Sequence, residues 1–468
     1  MLEGLEIKEV LFSSVNSSEL LRLEAEFHTA KSFNSSSTYI GAEIIDFSQY
    51  GTSDELNEES KGYPVLRLNE FDSHFITTPS KFCNLLDEET YQSLRLRRGD
   101  VLICRTNGNP RLVGKSAIVP KDYDYAYASY LFKIRPKQEL ITPATLVAYL
   151  NSKFGRMEIE KFSMASNQVN FSPAKFREMR IPKFGHALNA QVDKNTFDAF
   201  ELLEKSKLFH TQAETLLIDT LGMAGFSPNT DSINVKSLKD SFAATGRLDA
   251  EYYQPKYEDY QARVRSYPNG WQPLMQACNL KDRNFTPDEL IAYKYIELAD
   301  IDNSGGISGC TEALGNELPS RARRIVDAGD VLISSIEGSL SSCAIVPGIM
   351  GAALCSTGFY VINSDKINSE TLLILFKSPL LQNLLKQGCS GTILTAINKT
   401  EFQNIPVPII EGGAQTKIAT LVKESFSLKA ESERLLDVAK RAVEIAIEQD
   451  ENAALDWLFR NTPAQKAH

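Results

Sequence analysis

Arg22-Leu-Glu-Ala-Glu-Phe-His28 returns 225 residues later as Arg247-Leu-Asp-Ala-Glu-Tyr-Tyr253. Outward from this pair, Gly99-Asp-Val-Leu-Ile103 returns as Gly329-Asp-Val-Leu-Ile333, and Ile118-Val-Pro120 as Ile345-Val-Pro347. Arg180-Ile-Pro-Lys-Phe184 is echoed by Ile405-Pro-Val-Pro408, and Ala190-Gln191 by Ala414-Gln415. Order is kept and the offset stays between 224 and 230. A repeat of ~200 residues is far longer than the roughly 20–50-residue periods of solenoids. Two diverged copies of a whole domain are expected, a layout suited to a target that is itself in two parts.

The 468 residues suffice for several cores, and 43% hydrophobic with 24% charged residues is an ordinary globular composition. No apolar run reaches the ~18 residues a membrane span requires. The opening Met1-Leu-Glu-Gly-Leu-Glu-Ile7 has no basic segment leading an apolar one, so no secretory signal is expected. Seven scattered cysteines without a C-x-x-C pair read as free thiols of a reducing cytoplasm. A net charge of −10 argues against indiscriminate coating of nucleic acid. Charge is nevertheless uneven. Tyr91 to Arg135 carries nine Lys/Arg against three Asp/Glu, and Glu411 to Glu451 nine acids against six bases.

Both repeat bodies hold short β-branched and aromatic runs, such as Tyr63–Leu68, Val101–Arg105 and Tyr295–Ala299, with a helical stretch near the end of each. Those stretches are expected from Pro143 to about Lys161 and from Ser369 to about Gln387. Gly-Asp before each Val-Leu-Ile run reads as a turn entering a strand. Two long segments follow, Asn189–Leu221 and Gln415 to about Glu448. Apolar and small residues recur there at alternating spacings of 4 and 3, with no Pro or Gly between Gln415 and Glu448. Each is expected to be one helix, roughly 45–50 Å at 1.5 Å per residue, with a coiled-coil-like stripe. The expected class is α+β. Residues 1–186 and 227–410 are two similar β-rich domains. Residues 187–226 and 411–460 are the long helices with their hinge, pairing antiparallel with each other.

Catalytic signatures are missing: no P-loop, G-x-G-x-x-G, H-E-x-x-H or G-x-S-x-G, and no histidines at metal spacing. What remains is polar loop chemistry. Arg105-Thr-Asn-Gly-Asn-Pro-Arg111 follows the first Gly-Asp strand, and Ser334-Ser335 begins its counterpart. The flanks agree while the loops differ, as expected of one scaffold presenting two readers. Arg, Asn, Gln and Ser are the side chains that bond base edges and phosphates. Candidate DNA contacts are therefore Arg105, Asn107, Asn109, Arg111, Lys115, Ser334 and Ser335, with Arg67, Asn69, Asn167, Gln168 and Asn170. Arg95, Arg97 and Arg98, paired with Arg321, Arg323 and Arg324, are candidate phosphate grips or solvated turns. Arg22 and Arg247 are either DNA contacts or clamps closing each motif onto its own domain.

The Gly-Asp-Val-Leu-Ile block, the Ile-Pro exit, Ala-Gln opening a long helix, and Arg247-Leu-Asp-Ala-Glu-Tyr-Tyr-Gln-Pro-Lys-Tyr257 together resemble the specificity subunit of Type I restriction–modification systems. The resemblance covers essentially the whole chain. It implies two target-recognition domains, each reading one half of a bipartite DNA site, and an antiparallel helix pair as spacer. It implies no catalysis and no cofactor in this chain. Two methyltransferase subunits would bring S-adenosylmethionine, and nuclease–translocase subunits would bring ATP and Mg. The acidic net charge and Glu337 in the second loop depart from a uniformly basic DNA-binding face. The alternative reading is a duplicated β-domain scaffold that binds protein or saccharide.

Overall fold

The computed structural model describes residues 9–16, 21–33, 37–163, 169–391 and 395–462. It is a mixed α and β structure of two compact units, residues 1–204 with 429–468, and residues 205–428. In the first unit a six-stranded sheet runs in the order Ile45–Tyr50, Leu131–Pro136, Val101–Cys104, Ser116–Ile118, Phe75–Ile76, Phe71–Asp72. In the second, Asn279–Lys281, Phe359–Asn363, Val331–Ser334 and Cys343–Ile345 repeat the first four places of that order. A second small sheet in each unit contains one parallel pair, Val65–Leu66 on Ala126–Tyr127 and Tyr295–Ile296 on Leu354–Cys355. Thr38–Ile40 pairs with Arg180–Pro182 as Trp271–Pro273 pairs with Pro406–Pro408.

The Gly-Asp motif works as the sequence suggests. Gly99 and Gly329 have φ of 89° and 85°, a region open to glycine and strained for other residues. Each following Asp is buried and accepts its own turn's backbone N–H: Arg97 N on Asp100 at 2.9 Å, Asp327 N on Asp330 at 2.8 Å. The Val-Leu-Ile runs behind them are wholly buried because helices cover one face of each sheet and the smaller sheet the other. The helical stretch is broken where one helix was expected. Pro143–Asn151 and Lys153–Ser163 meet at Ser152, and Ser369–Lys377 and Pro379–Gly388 at Ser378. Ser378 caps the second of its pair with Pro379 at the first helical position, a strong start signal.

The long helices are His186–Thr220, 35 residues, and Gly412–Glu448, 37 residues. Inside the first unit, Ser432 Oγ donates to the Ala199 carbonyl at 2.7 Å, and Val192, Leu203, Leu435, Ala439 and Ala442 share one core. Inside the second, Ser206 and Ser425 hydroxyls meet at 3.1 Å, and Ala213, Leu217, Ile418 and Val422 share another core. A last helix, Glu451–Asn461, seats Ala454 and Leu458 in the first unit's core. All seven cysteines are free and all but Cys310 are buried. Among the described residues, no helix is long and apolar enough to cross a membrane, and no acid, His and Cys cluster is suited to a metal.

Candidate nucleic-acid interface

Beyond the Val101–Cys104 strand, the chain enters a niche defined by backbone bonds. Arg105 N donates to the Tyr130 carbonyl at 2.8 Å, and Phe171 N donates to the Arg105 carbonyl at 2.8 Å. Thr106 then bridges to Asn170. The second unit repeats all three. Ser335 N donates to Gly358 O at 2.9 Å, Ile397 N donates to Ser335 O at 2.9 Å, and Ile336 bridges to Ala396. Arg105 and Ser335 therefore occupy one backbone position on two copies of a scaffold.

Their side chains behave differently. Ser335 Oγ is tied back to the Gly358 carbonyl at 2.9 Å. The Arg105 guanidinium lies 5.2 Å from the ring centre of Tyr50, which is itself exposed, and its Nε is buried without a partner. Downstream, Asn107 Oδ1 accepts the Asn109 N–H at 2.8 Å and Asn109 Oδ1 the Arg111 N–H at 3.0 Å. These two turns leave Asn107 half-buried and Asn109 and Arg111 exposed to solvent. Beside them opens a concavity of about 380 Å³, lined by the polar Asn69, Asn107, Lys115 and Tyr130 and by Leu68 and Phe71. Lys115 Nζ donates to the Phe71 carbonyl at 3.4 Å, and burial lowers its proton affinity. Burial pushes the Tyr130 hydroxyl up to about 12.

Other candidates are engaged within the fold. Arg67 Nη2 donates to Glu70 at 3.0 Å and to Ser80 at 2.8 Å. The Asn69 amide, turned to satisfy both its ends, bridges Arg67 and Glu70. Arg22 and Arg247 each hold their motif onto their own unit, the clamp of the two roles left open by the sequence. Arg22 is 5% exposed and donates to Phe162 O at 3.0 Å and to Glu24. Arg247 donates to Cys389 O at 2.9 Å and to both Asp249 oxygens, and holds the Asp249 carboxyl below the usual range. The last motif residue returns to the arginine's own carbonyl in both copies, His28 at 3.0 Å and Tyr253 at 3.1 Å. Ser334 is wholly buried against Ser339 and is likewise no surface contact.

The two arginine triplets are not counterparts. Arg97 and Asp327 hold the same turn position, three residues before the buried Asp, so Arg95 corresponds to Ile325 and Arg98 to Ala328. Arg95 pairs with Asp124 and Arg98 lies over Phe197, while Arg97 is exposed. In the second unit Arg321 is exposed, Arg323 Nε donates to Ser320 O, and Arg324 donates to the Phe359 carbonyl. Asn167 and Gln168 lie outside the described residues. Tyr50 and Tyr130 were missed by the sequence reading. The available signal was an aromatic residue at the end of a strand, and a strand end is too common to single out.

Residues 280–436 match the family described as Type I restriction modification DNA specificity domain. Over 122 residues the chain is 29% identical to the Type I restriction enzyme StySPI specificity subunit of Salmonella potsdam, a match spanning 25% of the chain and 25% of that relative. Among solved structures, similarity extends to the HsdS subunit from Thermoanaerobacter tengcongensis, with 16% identity, 88% of this chain and 96% of that one, at a TM-score of 0.29. The Type-I restriction-modification system S subunit from M. genitalium is 12% identical over 90% of this chain and 95% of its own, at a TM-score of 0.37. A chain from a study of type I R-M assembly and conformational transition is 16% identical, over 90% of this chain and 97% of that one, at a TM-score of 0.28.

Proposed function

We propose that the chain belongs with the Type I restriction–modification specificity subunits, whose DNA specificity domain residues 280–436 match, and that it is the non-catalytic DNA-recognition subunit of a Type I-like complex in the cytoplasm. Each unit reads one half of a bipartite, asymmetric site in double-stranded DNA. The observation that carries this reading is the shared niche, in which matching backbone bonds hold Arg105 in one copy and Ser335 in the other. Equal scaffolds with unequal side chains suit two different half-sites. Asn107, Asn109, Arg111 and Lys115 contact DNA in the first unit, with Arg97 and Arg98 on phosphate, and Arg321 on phosphate in the second.

The long helices act as an antiparallel coiled-coil spacer between residues 1–186 and 227–410. Two contacts support this pairing: Ala199 with Ser432 and Ser206 with Ser425 each sum to 631, as an antiparallel register requires. A stiff spacer fixes the separation of half-sites, and linking two modest readers makes the second contact intramolecular. Base extrusion and methyl transfer lie with two methyltransferase partners holding S-adenosylmethionine. Translocation and cleavage lie with ATP- and Mg-dependent subunits. Methylome sequencing of cells with and without the gene tests the proposal. A bipartite adenine-methylation motif should disappear with the gene, and an unchanged methylome rejects it.

A further inference from the structure

Arg105 differs from the arginines around it. Arg22, Arg67, Arg95, Arg135 and Arg156 all donate to carboxylates, hydroxyls or carbonyls of the first unit. The Arg105 side chain has no hydrogen bond and no ion pair among the described residues; its Nε is buried and unpaired, as are those of Arg67 and Arg95, but theirs are the arginines whose terminal nitrogens are anchored to carboxylates. A buried donor left unpaired is unfavourable in a folded protein and calls for an explanation such as a missing ligand. Its guanidinium is nonetheless positioned. The backbone is pinned on both sides of the residue, and the Tyr50 ring lies 5.2 Å away. An arginine seated by an aromatic face and presenting unpaired terminal nitrogens is preorganised for a planar, two-acceptor partner. Guanine offers that pair, O6 and N7, in the major groove, where adenine offers one acceptor and one donor. Phosphate also accepts from arginine, but the exposed Arg97 and Arg111 suit it better than a half-buried group at a strand end.

We propose that Arg105 is the specificity-determining residue through which the first unit reads a guanine, with Tyr50 as its positioning residue. The second unit, with Ser335 in the same niche, lacks this contact. The inference rests on the DNA-recognition reading above. It is tested by selecting from a randomised duplex pool with the full chain in complex with its methyltransferase partner. Wild type should enrich a motif with a guanine in one half-site. Arg105→Ala should lose discrimination at that position alone, by about ten- to a hundredfold. Arg105→Lys keeps the charge and can reach the same acceptors without the fork, so it should weaken the preference less than Arg105→Ala, while Ser335→Ala should leave that half-site unchanged. Retained guanine preference in Arg105→Ala, or a uniform loss across all sequences, overturns the assignment. A wild-type complex that enriches no motif fails the recognition reading itself, which separates the two failures.

Discussion

Asp100 and Asp330 show how much of the fold a single motif residue can hold. Asp100 is fully buried, binds the Arg135 fork at 2.7 and 2.8 Å, and faces the Lys133 ammonium at 4.0 Å. Asp330 receives Lys281 at 2.7 Å and Asn363 at 3.0 Å. Removing Asp100 leaves the buried Lys133 ammonium uncompensated, so Asp100→Ala should destabilise its unit by about 3–5 kcal/mol in denaturant titrations; Asp330→Ala should cost less, because Lys281 is 32% exposed and keeps Asp327 at 2.7 Å. His74 makes a second prediction. Burial lowers its pKa from 6.5 to about 4, so the folded unit keeps the ring neutral where the unfolded chain would protonate it. A depressed folded value means the stability is present above pH 6.5 and is lost as pH falls toward 4. Stability should drop by on the order of 2 kcal/mol between pH 7 and 5 from this group. His74→Gln should flatten that slope in urea titrations at the two pH values.

Buried serine hydroxyls interrupt the apolar stripes of the long helices. Ser206 and Ser425 satisfy one another inside the second unit, and a hydroxyl left alone there is penalised more than two removed together. Ser206→Ala or Ser425→Ala should each lower stability by about 1 kcal/mol. The double substitution should fall well short of their sum, giving a coupling of about 0.5–1.5 kcal/mol in a thermal-unfolding cycle. The helices were the most legible elements, because a 4-and-3 stripe without Pro or Gly from Gln415 to Glu448 leaves little alternative. The Gly-Asp turns were legible too, since positive φ and an Asp cap are local properties. What escaped were long-range partners. Nothing near Arg22 announces Phe162 O, and nothing near Ser334 announces its burial. The arginine triplets, paired in the sequence, fall at different turn positions, because turn position is fixed by the carboxylate's backbone bond.

At the scale of the molecule, the closing helix belongs to the unit that opens the chain. Glu451 accepts the Gly185 N–H at 2.6 Å, Asn195 donates to Thr462 at 2.8 Å, and Leu458 is wholly buried. Truncation after Asp450 should therefore destabilise the first unit by about 3 kcal/mol or more and leave the second unit's transition in place. Calorimetry of the full and shortened chains checks this. Losing both transitions together would show that the units do not melt independently.

Residues 205–428 form the second unit without a break, whereas the first draws on segments to either side of it, 1–204 and 429–468. Chains emerge from the ribosome amino end first. The later half of the repeat can consequently finish folding while the earlier half still waits for residues 429–462. A nascent protein cut short by a nonsense codon soon after residue 428 would then carry one complete reader and one unfinished reader, and quality control would meet the unfinished one.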